Sequence, residues 1–406
     1  MGLIKRNKRI IICLVGILLV LGYLSPVNAK SNEEIYQEKL DQLNTDDVVG
    51  YYKLGLWCKQ NKLLEHAKIQ FNKVLELDPE HKKARQDLES IIQSEKDAKI
   101  AEIIKKYGPY KGVLDKPGAD SEKLPWEKAR EKETEHFIVK TNLSLDALND
   151  ICFLLECAYF SRQEFFEFIE PDKKTNFYVT KNKTEFDKVY KDLTGKNSNA
   201  LDKGTTIAKE NIINGLPEDS LLTYYYQENK KTTVNTLLHE GTHQIIDDIT
   251  RTCNLSKNPP AWFNEGMATY FESSRVEGKK LVTGINQYRL PSIMQVIRMG
   301  SYVKIKDFIN LSLSEYMGYT YSGKFDIYSE SWGLVYFLVN GKKGKYKDGF
   351  MAYIKAWKEN KIVTQSNNTD FWITNKDAHL KLFEECIGVS MDQLETDWKE
   401  YILQLK

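Results

Sequence analysis

An excess of charge of one sign is what this sequence most plainly lacks. Its 58 lysines and arginines are offset by 57 acidic residues, leaving a formal net charge of +1. Without a clustered basic excess to follow a phosphate backbone, nucleic acid is not an expected partner. Cysteine is scarce too, at 6 in 406 residues. Cys13 falls in the leader described below, and Cys58, Cys152, Cys157, Cys253 and Cys386 remain, an odd number and widely spaced. A fold stapled by disulfides is therefore excluded. Cys152 and Cys157, in the apolar run around Ile151 and Leu155, read as small core hydrophobes. Long apolar stretches are missing as well, with one exception at the N-terminus, so nothing later is expected to span a bilayer.

That exception has the layout of an export signal. Lys5, Arg6, Lys8 and Arg9 form a basic start, and Ile10 to Leu24 an apolar run. Ser25, Pro26 and the small-residue site Val27-Asn28-Ala29 follow, so residues 1–29 read as a signal peptide cleaved after Ala29. The expected location is secreted or extracytoplasmic. A membrane contact is expected only if the signal stays uncleaved as an anchor. No cysteine closes the apolar run, so a lipoprotein-type anchor is not indicated.

The remaining length suits one large core plus a smaller unit. Residues 33–107 read as helical throughout. Within them Tyr51, Leu54, Gly55, Ala67, Phe71 and Pro79 stand at offsets that resemble a tetratricopeptide repeat. Gly55 and Ala67 let two helices approach, Phe71 fills the space between them, and Pro79 ends the second. Asp78-Pro79-Glu80 then opens a third helix through Ala84, Leu88 and Ile91. Such a unit serves either as a groove for a protein partner or as a packing appendage. Residues 108–134, with Gly108-Pro109, Lys116-Pro117-Gly118 and Leu124-Pro125, read as a linker.

From residue 135 to 406 the pattern becomes mixed. His136–Thr141 and Asn176–Thr180 alternate as strands, and Thr205–Ala208 with Ile212-Ile213 marks a third. Leu145–Phe168 is a long helix, Thr184–Leu193 a short one, and Thr232–Ile249 a helix with Val234, Leu237, Leu238, Ile245 and Ile246 on its buried side. Everything beyond Pro259 reads as helices, the last opening at Ser390-Met391-Asp392-Gln393. A small sheet followed by a helical lobe is an α+β arrangement.

The helix over 232–249 carries His239-Glu240-Gly241-Thr242-His243, an H-E-x-x-H sequence. Positions four apart share a helix face, so both imidazoles can meet one metal ion. Glu240 is then placed to take a proton from an attacking water, the kernel of a zinc hydrolase. Such a site needs a third protein ligand. Asp247 and Asp248 lie one turn along the same helix and cannot easily curl back to the ion. Of Glu265 and Glu272, Glu265 is better placed, because Pro259-Pro260 breaks the chain and allows a new helix to cross the first.

H-E-x-x-H followed by Trp262-Phe263-Asn264-Glu265-Gly266-x-Ala268-x-Tyr270-x-Glu272 resembles the gluzincin peptidases, the aminopeptidase N group among them. The resemblance implies a zincin-like fold and one Zn²⁺ held by His239, His243 and Glu265. It implies Glu240 as general base and Glu272 as a carboxylate orienting an imidazole. The segment Tyr328 to Leu338 resembles one in which a tyrosine opens an apolar helix and hydrogen-bonds the oxyanion. This makes Tyr328 the candidate donor, with Tyr270 the runner-up. The overall pattern is most similar to bacterial peptidase-MA-like families, through His136–Thr141, Leu-Leu-Glu, His239–Gln244 and Leu394–Tyr401. The free-amine anchor G-x-M-E-N is absent upstream of His239, so the expectation is an endopeptidase acting on a peptide or protein substrate. The strand near Thr205–Ile213 offers an edge to such a substrate. The rival readings are a binding or scaffold protein with a relic metal site, and an amidase of cell-wall peptides.

Overall fold

The computed structural model describes residues 30–122, 124–167, 173–198, 204–207, 220–225, 227–228, 231–253, 259–322, 326–367 and 370–406. The expected signal peptide and Ile212-Ile213 lie outside the described residues. Among the described residues, no helix is long and apolar enough to cross a membrane. The chain is a mixed helix and sheet protein that divides into two units, Met1–Lys99 and Ile100–Lys406.

The first unit is helical. It holds α1 (Asn32–Leu40), α2 (Val48–Gln60), α3 (Leu64–Leu77) and most of α4 (Lys82–Tyr107). Ser31 and Glu34 cap α1 reciprocally. A Cβ on Gly55 would stand 2.6 Å from Phe71 Cε1, so the missing side chain is what admits the ring between α2 and α3. Tyr51, Leu54, Cys58, Ala67, Phe71, Val74, Ala84 and Ile91 close the core. Asp87 of α4 binds Tyr52 Oη at 2.8 Å and Lys59 Nζ at 2.9 Å on α2.

The division falls inside α4, not at Gly108, because Ile103 and Tyr107 already belong to the second unit's core. The stretch expected as a linker also belongs to that unit. Asp150 accepts the backbone N–H groups of Lys111 and Val113 at 2.7 and 2.8 Å. Leu114 and Ala119 are buried. Proline and glycine here mark tight turns over a core rather than a free tether.

The second unit is built on a five-stranded sheet in the order β1-β2-β3-β5-β4. Its strands are β1 (Arg130–Glu133), β2 (Phe137–Thr141), β3 (Thr175–Thr180), β4 (Gly204–Ile207) and β5 (Ser220–Tyr224). β2, β3 and β5 run parallel, with Val139 opposite Phe177 and Phe177 opposite Leu221. β1 and β4 pair antiparallel at the two edges. Phe177 and Leu221 face α5 (Leu145–Phe166), whereas Tyr178 and Leu222 face α6 (Lys183–Thr194). β3 is buried along its whole length, as a central parallel strand between two layers must be.

After the two-residue strands β6 (Gln227–Glu228) and β7 (Lys231–Thr232) come α7 (Thr233–Thr252) and α8 (Ala261–Phe271). The rest contains α9 (Leu290–Met299), α10 (Ile305–Phe308), α11 (Leu313–Ser322), α12 (Ile327–Asn340), α13 (Lys347–Lys358), α14 (Lys376–Ile387) and α15 (Met391–Gln404). α12 is apolar on nearly every side and lies in the middle of this lobe. The lobe is not wholly helical, contrary to the expectation beyond Pro259. β8 (Ser274–Glu277) pairs with β9 (Lys280–Thr283), and β10 (Thr364–Ser366) with β11 (Phe371–Ile373). Gly278, at φ +63°, turns the first hairpin in two residues.

One buried histidine in this lobe is placed to respond to acid. His379 is 4% exposed, with Nδ1 against Asn310 Oδ1 at 2.8 Å and Nε2 against Tyr353 Oη at 2.9 Å. Burial pushes it down from about 6.5 to about 4. The unfolded chain thus binds the extra proton first, and this contribution is whole above pH 6.5 and lost as pH falls toward 4. Over that window the His379 contribution should fall by about 3 kcal/mol, and His379→Gln should make stability fall less steeply with acid than in the parent in denaturant titrations. An unchanged slope would assign the acid sensitivity elsewhere.

Candidate metal centre

α7 presents two faces. Val234, Leu237, Leu238, Ile245, Ile246 and Ile249 are buried, while Asn235, His239, Glu240 and His243 are only half-buried. Arg162 of α5 fixes the helix from behind. Its guanidinium is fully buried and donates to Thr242 Oγ1 at 2.9 Å and to the Leu238 carbonyl at 3.2 Å. It also lies over the Phe271 ring at 4.3 Å. Burial lowers it to about 9.

α8 crosses α7 after Pro259-Pro260. Pro260 stands at the N-cap, its carbonyl taking the N–H groups of Phe263 and Asn264. The crossing is set on the other side by Gly266. A Cβ there would lie 2.7 Å from Val335 Cγ2 and 3.0 Å from the Ser331 carbonyl oxygen of α12. Only glycine lets α8 lie this close to α12, and Glu265 is carried with it.

The result brings His239, His243 and Glu265 together, with one ligand atom from each within 4.8 Å of the others. Glu265 Oε2 is 3.5 Å from both Nε2 atoms, which are 3.2 Å apart. Each imidazole is held from outside. His239 Nδ1 meets Glu272 Oε2 at 2.9 Å, and His243 Nδ1 meets Asn264 Oδ1 at 3.0 Å. With both Nδ1 atoms donating outward, both Nε2 lone pairs point into the gap. Glu265 Oε2 is buried there with no hydrogen-bond partner. A cation among the three would satisfy all of them, so these residues fit a metal ion. Asp248 instead accepts from Gln244 at 3.1 Å and from Arg251, and takes no part.

The charges are strongly coupled. Burial alone would lower both imidazoles, but Glu265 raises them, helped at His239 by Glu272 and at His243 by Glu240. Burial alone would raise the Glu265 carboxyl, but the histidines hold it well below the usual carboxylate range.

Tyr328 stands at the start of α12, packed edge-on to Tyr316 and beside the Arg289 guanidinium. Glu265 first, then burial and Glu240, push its phenol well above the ordinary value, while Arg289 pulls it down. Tyr270 lies elsewhere, packed on Phe271, Phe165 and Tyr336. Glu272 is 2% exposed and binds His239, so its orienting contact is present. Sequence reasoning named Asn264 only as part of a motif and missed Asn286 and Arg289 altogether. Asn286 Nδ2 and Arg289 Nε donate to Glu272 Oε1 at 2.8 and 3.0 Å. No local spacing signals them, because the β8–β9 hairpin is what returns the chain to Glu272.

Gly266→Ala should cost about 1–3 kcal/mol by overpacking the α8–α12 crossing, read by chemical denaturation. It should also weaken metal binding by displacing Glu265. A variant as stable as the parent would show that the crossing has slack.

A family model described as a protein of unknown function (DUF1570) matches residues 233–362. No curated protein and no solved structure matches the chain. The matched span begins at the first residue of α7 and contains His239, Glu240, His243, Glu265, Glu272, Arg289 and Tyr328.

Proposed function

We propose that this protein is an exported zinc-dependent metallopeptidase, an endopeptidase of gluzincin type. The observation that carries the reading is the convergence of two inward Nε2 atoms on a buried Glu265 oxygen that has no hydrogen-bond partner. Two imidazoles and one carboxylate form a three-ligand set of the kind that leaves a coordination position open for chemistry. Bound zinc would supply Lewis acidity, making water a better nucleophile and a carbonyl a better electrophile.

The chain's own residues supply the rest. Glu240 takes the proton of the attacking water and passes it to the leaving amine. The Tyr328 hydroxyl donates to the developing oxyanion, an interaction worth about 3 kcal/mol. Glu272 and Asn264 hold the imidazoles in one tautomer and orientation. β4, at the sheet edge, offers backbone groups to an extended peptide. The helical unit, with its Gly55–Phe71 contact, is tetratricopeptide-like and serves a protein partner or packs as an appendage.

The test is Glu240→Gln. That variant should keep its zinc and lose about 10²–10⁴-fold in hydrolysis of a peptide library. Chelation of the parent should abolish the same cleavage. Retained turnover in the variant would sink the mechanism. Zinc without cleavage of any peptide or cell-wall substrate would favour a scaffold, and cleavage confined to cell-wall peptides an amidase.

A further inference from the structure

The metal ligands and Tyr328 sit on different helices, and one buried side chain touches the supports of both. Arg289, just before α9, is 6% exposed. Its Nε donates to Glu272 Oε1 at 3.0 Å, and the other oxygen of Glu272 meets His239 Nδ1 at 2.9 Å. Its Nη1 donates to Asp326 Oδ2 at 2.8 Å. Asp326 occupies the N-cap position of α12, where it also accepts the Ser329 hydroxyl at 2.7 Å. Two residues on, the Tyr328 ring lies 5.3 Å from the guanidinium carbon.

We propose that Arg289 is a positioning residue that sets the His239 imidazole and the Tyr328 phenol in one frame. The guanidinium is planar and rigid, with donors at fixed angles. When Nε and Nη1 are both engaged, the relative placement of Glu272 and Asp326 is fixed. His239 follows the first carboxylate, and the opening turn of α12 follows the second. The guanidinium near the Tyr328 ring adds a cation–π contact, which also restrains the ring. Lysine cannot substitute, since a single ammonium lacks the fork that spans two carboxylates. Both acids offset the cost of burying the guanidinium, so the ion triad is paired on both sides.

This inference rests on the proposed zinc site for one of its two readouts, and neither readout uses hydrolysis. Zinc affinity is measured on the full chain by competition with a chromophoric chelator. The environment of Tyr328 is read in the metal-free, fluorotyrosine-labelled chain, with its resonance assigned by Tyr328→Phe. Glu272→Gln should lower zinc affinity by about 10–100-fold and leave the Tyr328 resonance in place. Asp326→Asn should shift the Tyr328 resonance and leave zinc affinity unchanged. Arg289→Lys should move both. An Arg289→Lys chain with native circular dichroism that moves only one readout, or neither, overturns the proposal. Where that variant does not fold, Asp326→Asn decides, and an unmoved Tyr328 resonance overturns it. A parent chain that binds no zinc would overturn the metallopeptidase reading instead. In that event the isotope-labelled ring nitrogens of His239 take the place of the zinc measurement.

Discussion

Two imidazole nitrogens 3.2 Å apart, each 3.5 Å from the same buried carboxylate oxygen, need positive charge among them. Protons or a metal cation can supply it, and an empty gap cannot, because facing lone pairs in a low-dielectric site repel strongly. The lowered Glu265 carboxyl and the raised histidines express this demand. Much of the surrounding structure opposes the relaxation that would relieve it. Asn264 and Glu272 hold the rings, Gly266 holds α8 against α12, and Arg162 holds α7 against α5.

The three residues lie on α7 and α8, between α5 with the sheet on one side and the helical lobe around α12 on the other. α7 leans its apolar face on α5 and the sheet, and its polar face on α8. A central helix as apolar as α12 could be only scaffolding, but its first turn holds Tyr328, whose phenol feels the Glu265 charge. The same helix thus combines two features that the sequence separates by position: apolar packing along its length and a titration-shifted tyrosine at its start.

How much of this was legible depended on the range of the interaction. His239 and His243 share a face by helix geometry alone, and Pro259-Pro260 signalled the break that lets Glu265 return. Two of the three central strands, β2 and β3, and the long helix α5 carried clear periodicity and appear with bounds shifted by one or two residues, whereas the third, β5, was not foreseen. β1 was missed because Arg130–Glu133 is wholly charged, which an edge strand tolerates and a pattern search does not register. The hairpin β8–β9 was missed although Glu277-Gly278-Lys279-Lys280 marks its turn, because short half-buried strands with charged ends imitate a helix surface. Arg289 was illegible for a deeper reason. Its partners are 17 residues back and 37 ahead, and nothing local records either distance.

The β8–β9 hairpin has a further consequence for how the site is assembled. Ser273 Oγ donates to the Gly284 carbonyl at 2.8 Å, and Ser274 Oγ meets Thr283 Oγ1 at 2.7 Å, so the base of the hairpin is closed. Glu272 and Asn286 emerge from that base side by side, although 14 residues separate them. The entropy of joining them is spent at a two-residue turn remote from the chemistry, not at the carboxylate itself. The tip of the hairpin can therefore vary in length and composition while its base cannot, and the site is insulated from its own connecting loop.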